Sequence, residues 1–197
     1  LKKEEEFFED RICTIHSYTN NNSEMPRNLK VFDKKAYDEL CKYYSLFGKT
    51  NNVHVRNDPV KKHPFFKFRS NAYGRGLDFK ECWIKSENPS RAYDPYDLKM
   101  LLAMQENYNK FKEKKYKDFE DMLEYFNNSK QDLLIDFLII DEAQDCNVPQ
   151  MLAIERMAKN AKVVVMVGDP NQTIFQFAGA NPDFFEKLFA KVKDEDE

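Results

Sequence analysis

Two short acid-and-amide clusters in the last third of the chain carry residue types that can do chemistry. The first is DEAQD, 141–145, directly after the apolar run Phe137–Ile140; the second is GDPNQ, 168–172, directly after Val163–Val167. A carboxylate at the end of an apolar strand, such as Asp141, can ligate Mg²⁺ while nucleotide phosphates supply the other oxygens. The next residue, Glu142, can orient or deprotonate an attacking water. The amide of Gln172 can hydrogen-bond a terminal phosphate or that water. Asp141 is therefore the metal candidate, Glu142 and Gln172 are the catalytic candidates, and Asp169 is a further cofactor contact.

These residues need two strands that end at one place. Both apolar runs are rich in β-branched residues and stop at turn signals, which predicts strands buried on both faces. Between them, about Pro149 to Lys159 carries Met151, Leu152, Ile154 and Met157 at helical spacing. Strand, helix, strand at this interval predicts a βαβ unit of a parallel sheet, with chemistry at the C-terminal strand ends.

DEAQD after a hydrophobic strand, followed by VGDPNQTIFQFAGA, resembles motifs II and III of the UvrD/Rep/PcrA-like superfamily 1 DNA helicases. The family pattern close to GDxxQSIYxWRGA is matched at Gly168, Asp169, Gln172, Ile174, Gly179 and Ala180, with conservative changes at Thr173, Phe175 and Phe177; Ala178 stands where the family usually has arginine. The resemblance implies ATP and Mg²⁺ as cofactors, single-stranded DNA or a single/double-strand junction as partner, and 3′-to-5′ movement. It also implies contacts with the rest of a helicase polypeptide and a cytoplasmic protein of bacterial or viral type; no membrane partner is expected, because no apolar run approaches the roughly 18 residues needed to span a bilayer. It gives Gln144 a place in the cofactor site as a link between the nucleotide and DNA sites; the plainer alternative is a helix-start side chain bonding backbone. Phe175 and Phe177 match positions that stack on bases, against burial on the sheet. ICTIHS, 12–17, reads as a strand and is similar to the family's motif Ib, which makes Thr14, His16 and Ser17 DNA-contact candidates; an ordinary strand end with His16 bonded internally is the alternative.

The rest of the chain frames these motifs. The 197 residues carry a net charge of −3, so nucleic-acid contacts must come from local patches rather than a global basic field. Cys13, Cys41, Cys82 and Cys146 form no CxxC pair, which argues for reduced thiols over a zinc site. Lys35–Tyr44, Asp97–Lys112 and Asp118–Phe126 show helical spacing, and Phe184–Val192 reads as a closing helix. Lys61–Arg75, KKHPFFKFRSNAYGR, offers cations to phosphates and Phe66, Phe68 or Tyr73 to bases. Its alternative is a strand or loop with Phe65 and Phe68 in a core and the cations solvated. His63 and His54 lack ligand partners at metal spacing, and Trp83 reads as core.

No GxxxxGK[ST] occurs in the sequence. The expectation is therefore an α/β fragment: a partial RecA-like (P-loop NTPase) parallel sheet lacking the Walker A strand. Residues 1–20 and 129–197 would form this partial domain, called 1A, split by a mostly helical 1B-like insertion over 21–128. Such a fragment of an ATP-dependent DNA helicase would be nearly inert towards ATP alone. The alternatives are a non-catalytic nucleic-acid-binding or assembly module, and the helicase arm of a recombination nuclease.

Overall fold

A computed structural model of the chain describes residues 13–47, 63–113 and 115–172. The expectations for Leu1–Asp10, Ile12, His54, Lys61, Lys62, Phe175, Phe177 and the helix over 184–192 lie outside those residues.

The βαβ unit forms as its pattern requires. Strand β3 (Ile135–Ile140) is followed by a short 3-10 turn (Ala143–Asp145), helix α8 (Val148–Ala158) and strand β4 (Ala161–Met166). The strands pair directly and in parallel, with Phe137 opposite Val163 and Ile140 opposite Met166. Asn147 starts α8: its side chain accepts from the Gln150 N–H at 3.1 Å while Gln150 Oε1 accepts from the Asn147 N–H at 2.9 Å, a reciprocal capping box. Pro149 sits in the first turn, where its missing N–H costs no intrahelical bond.

Side chains alternate across this two-stranded sheet. Leu138, Ile140, Val164 and Met166 face a core that contains Met151, Ala153, Ile154 and Met157 of α8. Phe137 and Ile139 point the other way and are 72% and 71% exposed, with Val163 and Val165 beside them also exposed. The strands are thus buried on one face, not two as the apolar runs suggested. One crossover helix covers one face, and no other described element covers the second.

Helix α7 (Phe119–Asn128) belongs to the same core through Leu123 and Phe126. Asp118 caps it and forms a capping box with Asp121. Arg156 of α8 lies over the Phe126 ring at 4.8 Å and donates to the carbonyl oxygens of Phe126 and Gln131. Helix α1 (Ile15–Asn21) completes the layer, with Tyr18 edge-on to Phe126 at 5.9 Å. The strand expected over 12–17 is therefore replaced, from Ile15 on, by a helix. The cause is local: Thr14 is a good N-cap residue, its Oγ1 accepts the Ser17 N–H at 3.2 Å, and Ile15 and Tyr18 then fall on one helical face.

The preceding elements are mainly helical: α2 (Lys34–Tyr43), α3 (Pro64–Gly74), α4 (Phe79–Lys85), α5 (Pro89–Ala92) and α6 (Leu98–Lys112), with a short parallel pair β1 (Lys30–Val31) and β2 (Tyr116–Lys117). Their core is aromatic, with Phe47, Phe65, Phe68 and Tyr108 all fully buried. Trp83 packs against it. The basic-aromatic stretch is neither a base-stacking platform nor a strand or loop. From Pro64 it is helix α3; Phe65, Phe66 and Phe68 are buried, and Tyr73 donates to the Glu120 carbonyl at 2.6 Å. Its cations are not all solvated either, because Arg69 pairs with Asp118 and Glu120. His63 caps α3, its Nδ1 accepting the Phe65 N–H at 3.2 Å, and is buried against Tyr96.

Candidate functional site

The parallel pairing carries both clusters to one end of the sheet. The ladder continues past the strands: Val167 N–H donates to the Ile140 carbonyl at 2.8 Å, and Ala143 N–H donates to the Val167 carbonyl at 3.0 Å. The turn after β3 and the turn after β4 are therefore zipped together by backbone.

Asp141 is exposed, and its Oδ1 accepts the Glu142 N–H at 2.9 Å. Its Oδ2 has no protein donor among the described residues. A hard oxygen at the rim of the sheet is the donor type Mg²⁺ selects, so Asp141 fits the metal role. Glu142 is exposed with φ 53° and ψ 40°. That left-handed conformation is uncommon for a residue with a Cβ, and such outliers cluster at functional sites. It turns the chain sharply into the 3-10 turn Ala143–Asp145 and directs the Glu142 carboxylate back to Gln144.

Gln144 is 2% exposed. Its Oε1 accepts the Asp169 N–H at 3.0 Å, and its Nε2 donates to Glu142 Oε2 at 2.6 Å. The amide orientation follows from the partners, since a backbone N–H only donates and a carboxylate only accepts. Gln144 thus bonds backbone, as the plainer reading expects, but the backbone belongs to the other strand's turn rather than to its own helix start. Gly168 makes the approach possible, because a Cβ built there would lie 2.4 Å from Gln144 Oε1 and 3.2 Å from the Gln144 nitrogen.

Beyond Gly168 the chain forms a tight turn over Pro170–Gln172. Asp169 organises it. Its Oδ1 accepts the Asn171 N–H at 2.9 Å, and its Oδ2 accepts Gln172 Nε2 at 2.8 Å. The Asn171 backbone N–H and the Gln172 amide hold the Asp169 carboxyl below its usual range. The structure therefore brings together Asp141, Glu142, Gln144, Asp169 and Gln172.

Thr14, His16 and Ser17 sit on α1 instead. Thr14 and Ser17 are exposed; His16 is half-buried and tilted on Phe119 at 4.9 Å, and burial lowers its pKa from the usual 6.5. Two features of the site escaped sequence reading. The steric role of Gly168 was signalled only by a glycine between a strand and an acid, and the left-handed turn at Glu142 had no signal, since glutamate is an unusual residue there.

The UvrD/REP helicase N-terminal domain model matches residues 3–193. The chain is 29% identical over 185 residues to the RecB protein of the RecBCD enzyme of Buchnera aphidicola, covering 87% of this chain and 13% of that protein. It is 27% identical over 178 residues to the putative ATP-dependent DNA helicase YjcD of Bacillus subtilis, covering 77% of this chain and 23% of that protein. It is 23% identical over 198 residues to an ATP-dependent helicase/nuclease polypeptide of Oceanobacillus iheyensis, covering 86% of this chain and 16% of that protein. The chain thus spans less than a quarter of the length of each of these relatives.

Proposed function

Since the chain belongs to the UvrD/REP helicase N-terminal domain family, we propose that it supplies part of a RecA-like motor domain that couples ATP hydrolysis to movement on single-stranded DNA, 3′-to-5′ by resemblance. The observation that carries this reading is the direct parallel pairing of β3 and β4, which sets the acid pair and the Gln172 turn side by side at one sheet end.

Bound Mg²⁺ would neutralise charge on the phosphates, and Asp141 is the residue that would hold it. Glu142 would orient water and take its proton. Gln172 would hydrogen-bond the terminal phosphate. Thr14, His16 and Ser17, at the start of α1, would meet the DNA backbone. Phosphate-bearing loops and further domains would come from sequence beyond these 197 residues. The RecB and helicase/nuclease relatives favour the helicase arm of a recombination nuclease as the setting.

The test joins this chain to an upstream phosphate-binding loop and measures DNA-stimulated ATP hydrolysis. Glu142→Gln should lower turnover by about 10²–10⁴-fold, the range for loss of a general base, with nucleotide binding kept. Turnover within tenfold of the parent would remove Glu142 from its role.

A further inference from the structure

We propose that Asp169 and Gln144 are positioning residues: with Gln172 and Glu142 they form one hydrogen-bonded relay across the ends of β3 and β4, in which Asp169 holds the Gln172 amide and Gln144 ties the same turn to the Glu142 carboxylate. The relay has three links. Gln172 Nε2 donates to Asp169 Oδ2 at 2.8 Å, Asp169 N–H donates to Gln144 Oε1 at 3.0 Å, and Gln144 Nε2 donates to Glu142 Oε2 at 2.6 Å. The middle link is half-buried and sterically confined, since Gln144 is 2% exposed and packs where a Gly168 Cβ would stand. The outer links end on exposed side chains, which are free to exchange partners.

This inference rests on the reading of Gln172 as the phosphate contact and Glu142 as the water contact. In the relay both groups are engaged by protein. A terminal phosphate oxygen that accepts from Gln172 replaces Asp169 as acceptor. Asp169 Oδ2 then loses its donor while Oδ1 keeps the two Asn171 donors at 2.9 and 3.2 Å, so the carboxylate re-orients about Asn171 and its backbone N–H shifts against Gln144. The amide of Gln144 passes that shift to Glu142. A nucleoside triphosphate would in this way change the Glu142 carboxylate from a held to a working orientation. Asp169 accordingly acts as a positioning residue, on the phosphate contact through Gln172 and on Glu142 through Gln144.

The test is solution NMR on the 197-residue chain. It reads side-chain amide exchange at Gln172 and Gln144 and the carboxyl carbon of Glu142. In Asp169→Ala, Gln172 amide exchange should quicken about 5-fold or more, as expected for loss of one hydrogen bond of ~1 kcal/mol. The Glu142 carboxyl carbon should move in the same variant, although residue 169 does not touch it. Asp169→Asn keeps one acceptor oxygen and should restore part of both signals. Should Asp169→Ala fail to fold, Gln172→Ala at the surface breaks the same outer link and should move Glu142 in the same direction. A Gln172 amide that exchanges at the free rate in the parent chain, or a Glu142 signal unmoved by both variants, overturns the relay. Because no step needs hydrolysis, a failed relay leaves the motor reading standing, whereas an intact relay without ATP turnover in the loop-joined protein would sink the motor reading and the triphosphate trigger with it, leaving the positioning roles of Asp169 and Gln144.

Discussion

Gly168→Ala tests the closeness of the two turns. The added methyl would lie 2.4 Å from Gln144 Oε1, 3.2 Å from the Gln144 nitrogen and 3.3 Å from the Ala143 nitrogen. The backbone contacts need only a few tenths of an ångström of relief, but the amide oxygen must leave. Its departure breaks the Asp169 N–H bond and pulls Nε2 from Glu142, stranding polar groups at a buried site. An unsatisfied buried polar group costs about 1–3 kcal/mol, and overpacking adds about 1–3 kcal/mol. A total of roughly 2–6 kcal/mol corresponds to a fall in Tm of about 4–24 °C for a chain of this size. Thermal unfolding followed by circular dichroism measures it. The double variant Gly168→Ala/Gln144→Ala removes the obstructing oxygen and should be less destabilised than the sum of the two singles by at least about 1 kcal/mol, a coupling typical of residues in contact. A Gly168→Ala protein melting within 1–2 °C of the parent, about 0.5 kcal/mol, or strictly additive effects in the double variant, would refute the contact.

Other consequences follow from the same structure. Lys112, 5% exposed, bonds Asp118 at 2.5 Å and Asp121 at 2.8 Å; Lys112→Met should cost about 2–4 kcal/mol in urea unfolding at pH 7, because it leaves Asp121 without its cation and Asp118 with Arg69 alone, both half-buried. Burial pushes the Asp118 carboxyl up, but Arg69 and Lys112 outweigh it and hold the group below its ordinary value. The stability Asp118 contributes is therefore present above about pH 4 and is lost as pH falls from there, so Asp118→Asn should flatten that acid limb. Thr14→Ala removes the α1 cap and should lower stability by about 1 kcal/mol with no DNA present. Phe137→Lys, on the exposed sheet face, should change stability by less than about 0.5 kcal/mol while reducing light scattering of concentrated solutions.

What the sequence revealed divides along a physical line. Patterns with a short period and a local cause were readable. Asp97, Asp118 and Asn147 each announce a helix that forms where its spacing places it, and the β-branched runs give β3 and β4. That the turns after β3 and β4 meet was readable because parallel strands fix which ends come together. Burial was less readable, since a continuous apolar run does not say how many layers cover it; Phe137 and Ile139 are as apolar as Leu138 and Ile140 yet face outward. Residues 12–17 misled because Ile, Thr and His fit strand and helix alike, and the cap at Thr14 decided the matter from Ile15 on. The Lys61–Arg75 stretch left two readings because aromatic side chains beside cations look the same on a nucleic-acid surface as in an aromatic core; Phe65 and Phe68 lie in the core, but on a helix rather than a strand or loop. The partner charges on Asp118 and Glu120 lie far along the chain and cannot be read from the stretch itself.

The central claim is that Glu142 and Gln172 would act in one step on one terminal phosphate, Glu142 through the attacking water and Gln172 by direct contact. It is tested most directly by a double-mutant cycle on DNA-stimulated ATP turnover in the loop-joined protein. Glu142→Gln, Gln172→Ala and their combination are compared with the parent. Groups acting together on one reacting phosphate give strongly non-additive losses, so the double variant should be no more than about threefold slower than Glu142→Gln alone. Losses that multiply in full would place the two side chains at separate tasks and contradict the account.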